Sequence, residues 1–90
     1  MKLIVTIVHS DDANSLIVAL REKGFRSTKI STTGGFLRAG NATILIGAED
    51  AKVDSILATI QKACHPHKEA GVEISGATVF VLDVERYERV

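Results

Sequence analysis

The sequence predicts an α+β, ferredoxin-like βαββαβ sandwich, with a four-stranded antiparallel sheet and two helices on one face. Three observations predict it. Two stretches carry apolar residues at helical spacing. Four stretches are rich in β-branched and apolar residues, as half-buried or buried strands are. Their order along the chain is β-α-β-β-α-β, the split βαβ arrangement. With 90 residues there is room for one domain, spanning 1–90.

Residues 2–8, KLIVTIV, read as the first strand. Ser10, Asp11 and Asp12 follow, offering N-cap oxygens and negative charge for a helix start. Ala13, Leu16, Ile17 and Leu20 then form one apolar stripe, and Gly24 supplies a left-handed stop, so residues 11–23 read as the first helix. Residues 25–32, FRSTKIST, read as a second, more polar strand, and residues 33–41 as a glycine-bearing loop. Residues 42–48, ATILIGA, read as the third strand, paired antiparallel with the second. Glu49 and Asp50 open the second helix. Val53, Ile56, Leu57, Ile60 and Cys64 fall on one of its faces, and Pro66 ends it. Residues 65–71 read as a loop and residues 72–84 as one long fourth strand, with Gly76 marking a bulge or bend.

Both faces of this sheet are apolar. Leu3, Val5 and Ile7 oppose Ile4 and Val8 in the first strand, Ile44 and Ile46 oppose Leu45 in the third, and Phe80 and Leu82 alternate with Val79 and Val81 in the fourth. Two helices cover one face only. A soluble monomer rarely exposes the other, so an obligate homo-oligomer through the open face is expected.

The composition narrows the function classes. Eleven Lys and Arg balance eleven Asp and Glu, which argues against a general nucleic-acid binder. The single cysteine excludes an internal disulfide and fits a reducing compartment. The apolar run at residues 3–8 is short of the roughly 20 residues of a membrane span and lacks a cleavage site for a signal peptide. A cytoplasmic protein with no membrane partner is expected.

Three groups of residues carry possible chemistry. The first lies in residues 21–41, where Arg21, Lys23, Arg26, Lys29 and Arg38 face one acid, Glu22. Arg26, Thr28 and Ile30 share a strand face. Thr32-Thr33-Gly34-Gly35 supplies successive N–H groups for an anion. Phe36 suits a base face, and Asn41 carries the donor and acceptor of an adenine edge. The pattern suits a nucleotide. It equally suits a turn with solvated charges, Phe36 at a subunit interface and Asn41 capping the turn. The second group is Cys64-His65-Pro66-His67, whose thiol and imidazoles suit zinc or copper but whose spacing matches no standard site. Core packing of Cys64 is the alternative, and no metal site is expected. The third reading is a phosphate-ester hydrolase using Arg26 or Arg38 with Asn41. No activated nucleophile or acid–base pair accompanies them, so no catalytic residue is assigned and no enzyme is expected.

Phe25-Arg26-x-Thr28-Lys29, followed by the uninterrupted TTGGFLRAGN of residues 32–41, resembles the PII-like cyclic di-AMP receptor family of bacteria. GATVFV at residues 76–81 resembles that family's last strand, and the likeness covers nearly the whole chain. The resemblance implies a homotrimer, a non-enzymatic signal receptor, and a cleft between neighbouring subunits for cyclic di-AMP, with no further cofactor. It implies that Arg26 and Thr28 line the cleft and that Gly35, Phe36 and Leu37 offer N–H groups to phosphate, Phe36 also lying against a base. Asn41 and Gly47 would hold an adenine edge, and Gly76 and Ala77 would come from the neighbouring subunit. One departure is the short connection at residues 64–72. A different adenine nucleotide, a protein-contacting trimer without ligand and a metal-binding trimer are the alternatives it leaves open.

Overall fold

A computed structural model of the protein describes residues 1–30, 40–65, 67–69, 72–74 and 76–90. Strand β1 (Lys2–His9) leads into helix α1 (Ser10–Glu22), then β2 (Ser27–Ile30) and β3 (Asn41–Ala48). A single 3₁₀ turn (Asp50–Lys52) precedes α2 (Val53–Ala63). Short strands β4 (His67–Glu69) and β5 (Val72–Ile74) follow, and β6 (Ala77–Asp83) completes the sheet. The four-stranded sheet has the order β2-β3-β1-β6, every pair antiparallel. The ferredoxin-like βαββαβ arrangement expected from the sequence is therefore the one observed.

The period-2 alternation sets which face is covered. Ile4, Thr6 and Val8 of β1 and Ala42, Ile44, Ile46 and Ala48 of β3 are buried. Against them pack Ala13, Leu16 and Leu20 of α1, and Ile56 and Ile60 of α2 with Cys64 just beyond it. Both helices bring the stripes their spacing predicts. The opposite face carries Leu3, Val5, Ile7 and Leu45, half-buried, with Phe80 and Leu82 exposed. The register aligns these side chains across the strands: Thr28 opposite Leu45, Leu45 opposite Val5, and Val5 opposite Phe80.

Several element boundaries differ from the sequence expectation. The N-cap of α1 is His9, whose Nδ1 accepts from the Asp11 N–H at 3.1 Å. Ser10, expected to cap, already lies in the first turn because β1 runs one residue further. Gly24 does stop the helix, at φ +83°, with its N–H on the Arg21 carbonyl. Phe25 is absent from β2 because its N–H donates to the Leu20 carbonyl, which keeps it on the helix end. Helix α2 starts only at Val53 and stops at Ala63, before Pro66, as Cys64 turns extended.

The largest difference is after α2. The expected loop at 65–71 holds β4, and the expected single strand 72–84 is two strands. β5 pairs with β4 in a separate two-stranded sheet, while β6 pairs with β1. The chain bends at Gly76, where it touches the backbone of Cys64 and His65.

Candidate functional site

Six of the nine expected ligand residues are described, and they fall into three places. Gly35, Phe36 and Leu37 lie outside the described residues.

Arg26, Thr28 and Gly47 come together. They line a groove of about 710 Å³ with Met1, Lys2 and Leu3, at the end of the sheet where β2 begins and β3 ends. That size suits a small-molecule ligand. Thr28 reaches it because it pairs with Leu45 on the uncovered face. Gly47 pairs with Leu3 on the same face, where a Cβ would approach the Met1 side chain to 3.3 Å. Arg26 has no ion-pair partner among the described residues.

Asn41 shares that face but sits at the other end of β3, opposite His9. Six residues of strand separate it from Gly47, roughly 20 Å at about 3.3 Å per residue. Within one chain, Asn41 and Gly47 therefore do not grip the same adenine edge. Around Asn41 the chain is tied down by the Ser10 N–H on the Gly40 carbonyl at 2.7 Å, with Gly40 at φ +90°.

Gly76 and Ala77 belong to a third place. They line a cavity of about 490 Å³ under the end of α2, with Leu57, Ile60, Cys64 and Val79. Ala77 pairs with Val8, so it faces the helices rather than the open side. Beside this cavity the His65 N–H donates to Asp12 Oδ2 at 3.3 Å, which joins the start of α1 to the end of α2. Burial, and secondarily the Asp12 carboxylate, push the Cys64 thiol up to about 11. A thiol so raised stays protonated and is a poor nucleophile or metal ligand at neutral pH. Among the described residues, no three His, Cys, Asp or Glu side chains gather as a metal site, and no helix is long and apolar enough to cross a membrane.

Sequence reasoning missed the other wall of the large groove. The polar tail after β6 returns to it, and Arg86, Tyr87, Glu88 and Arg89 line it. The Val84 N–H holds the tail's start to the Met1 carbonyl at 3.1 Å. Lys2 pairs with Asp83 at the groove's edge, which raises the lysine pKa and lowers that of the carboxyl. The available signal was Arg-Tyr-Glu-Arg itself, two guanidiniums flanking the chain's single tyrosine.

A crystal structure of a functionally unknown protein from Pediococcus pentosaceus superposes with a TM-score of 0.80 at 43% identity, covering 99% of this chain and 96% of that one. The likeness therefore extends over nearly the whole of both chains. The family model described as "Cyclic-di-AMP receptor" matches residues 1–70, which takes in Arg26, Thr28, Asn41 and Gly47 and stops short of Gly76 and Ala77. Carrying that match over most of its length, the chain belongs to the cyclic-di-AMP receptor family.

Proposed function

We propose that the protein is a non-enzymatic cytoplasmic receptor for cyclic di-AMP, a homotrimer that holds its ligand where subunits meet. The observation that carries this reading is the family match over residues 1–70. The placement of the candidate residues supports an inter-subunit site. Arg26, Thr28 and Gly47 lie at one end of the uncovered sheet face and Asn41 at the other. A neighbour laid across that face brings the Asn41 end of one subunit to the Arg26 end of the next, and covers Phe80 and Leu82. Gly35, Phe36 and Leu37 supply phosphate donors in this reading, and Gly76 and Ala77 flank the site from the neighbouring chain.

The test is isothermal titration with cyclic di-AMP, using ATP and cyclic di-GMP as controls. Saturable binding near one cyclic di-AMP per subunit, with the controls silent, is the expected result. ATP binding alone would redirect the reading to another adenine nucleotide. Silence with all three would favour the second reading, a trimer that contacts a protein target. The short connection at residues 64–72 is the feature that favours it.

A further inference from the structure

The large groove is built from three segments far apart in the chain: the first residues of β1, the β2–β3 edge and the C-terminal tail. Its charges are unusual for a chain with formal net charge +0. Lys2, Arg26, Arg86 and Arg89 line it, against one acid, Glu88. Two of these cations are neutralised locally. Lys2 pairs with Asp83, and Arg86 pairs with Glu88, its Nε donating to Glu88 Oε1 at 3.1 Å. Arg26 and Arg89 have no ion-pair partner among the described residues, so the strand wall and the tail wall each present one uncompensated guanidinium. Tyr87 lines the same groove, 60% exposed and bearing a large ring that the core does not use.

We infer that the C-terminal tail is a working wall of the ligand groove, with Tyr87 as the surface on which a base stacks and Arg89 as a phosphate contact opposite Arg26. The inference rests on the nucleotide reading above and adds residues beyond the family match, which ends at residue 70. The chemistry of the groove selects its ligand class. An aromatic face binds any planar base, and paired guanidiniums bind phosphate with directed N–H groups. A cyclic dinucleotide offers two phosphates, one to each of the Arg26 and Arg89 guanidiniums.

Tyr87 makes the test direct. The chain has one tyrosine and no tryptophan, so its intrinsic emission reports this place alone. The full-length chain and a chain ending at Val84 are each titrated with cyclic di-AMP and with ATP by calorimetry. Tyr87 emission of the full-length chain is followed in parallel, corrected for nucleotide absorption, and Tyr87→Ala, Arg89→Ala and Arg26→Ala are run beside it. The expected result is quenching of Tyr87 on the same isotherm as the heat, with affinity lower by about tenfold in Tyr87→Ala, the loss typical of one removed stacking surface. Arg89→Ala is expected to flatten the salt dependence of binding.

Cyclic di-AMP binding that leaves Tyr87 emission unchanged, and that the shortened chain keeps within about twofold, would overturn the inference while leaving the receptor reading intact. Quenching by ATP without any response to cyclic di-AMP would uphold the tail's role and overturn the choice of ligand. Silence in heat and emission with both nucleotides would overturn both. Circular dichroism of the shortened chain guards against a folding defect. If it is unfolded, Tyr87→Ala and Arg89→Ala decide, and full affinity in both counts against the inference.

Discussion

Gly76 packs directly against the backbone of Cys64: a Cβ at residue 76 would lie 2.9 Å from the carbonyl carbons of both Cys64 and His65. The obstacle is main chain on both sides, so no side chain can swing away. Gly76→Ala is expected to destabilise the fold by about 1–3 kcal/mol, as overpacking does. Urea unfolding checks it. Because Gly76 is also a candidate ligand residue, stability must be measured before any loss of binding is attributed to contact.

Asn41 is the residue on which adenine recognition rests in the proposed function. Asn41→Ala is expected to weaken cyclic di-AMP binding by about 1–3 kcal/mol, because it strands the base's polar edge. Titration calorimetry reads this directly. Wild-type affinity in the variant would remove Asn41 from the site.

Phe80 and Leu82 protrude from the uncovered face in register with Val5 and Leu3. Burying such side chains is worth roughly 1.5–3 kcal/mol each. If the proposed trimer forms through this face, Phe80→Glu is expected to shift it to monomer in sedimentation velocity. A wild-type mass that stays monomeric at every concentration would refute the assembly itself.

Thr6 lies on the covered face, fully buried between Ile44 and Val79, and its Oγ1 has no hydrogen-bond partner among the described residues. An unpaired buried hydroxyl is a cost that valine avoids at nearly the same shape. Thr6→Val is expected to stabilise the protein by about 1 kcal/mol. Thermal unfolding in which Thr6→Val melts below wild type would show that the hydroxyl finds a partner.

The Cys64 thiol is pushed from its ordinary 9.0 up to about 11, first by burial and then by Asp12. Between those values the unfolded chain loses a proton that the folded chain keeps, so stability falls as pH rises. Below about pH 9 this contribution is fully present. It is lost progressively through about pH 11. The difference between wild type and Cys64→Ala in unfolding free energy, followed from pH 8 upward, isolates it from the titrating lysines. A flat difference across that window would mean the thiol is not protected.

The parts of the fold that sequence made legible are those set by local rules. Gly24 stops α1 because a left-handed residue is needed there, and Ile56, Ile60 and Cys64 are buried because helical spacing puts them on one face. Thr28 could be assigned to the open face by counting in twos. The β4–β5 pair was hidden because His-Lys-Glu carries no apolar alternation, and its separation from β6 depends on the contact of Gly76 with a backbone twelve residues earlier. His9 as a cap was missed because Ser10 and the two aspartates offered commoner cap chemistry. Of the candidate site, the shared strand face of Arg26 and Thr28 was legible from alternation, whereas Gly47 entered only by resemblance and was set with Asn41 rather than with them. Tyr87 and Arg89 were invisible, since nothing in a polar tail says where tertiary structure will lay it.

The contact between Gly76 and the Cys64–His65 backbone also closes a loop. The chain leaves the domain at residue 65 and re-enters it at residue 76, and these two points touch. The β4–β5 pair hangs from that junction as a sheet of its own. Once the ends of a loop are held together by something else, lengthening it costs little: each doubling adds only about 0.6 kcal/mol of closure entropy. The junction is thus a socket. On that count, a longer segment between residues 65 and 76 is expected to leave the four-stranded sheet and both helices as they are.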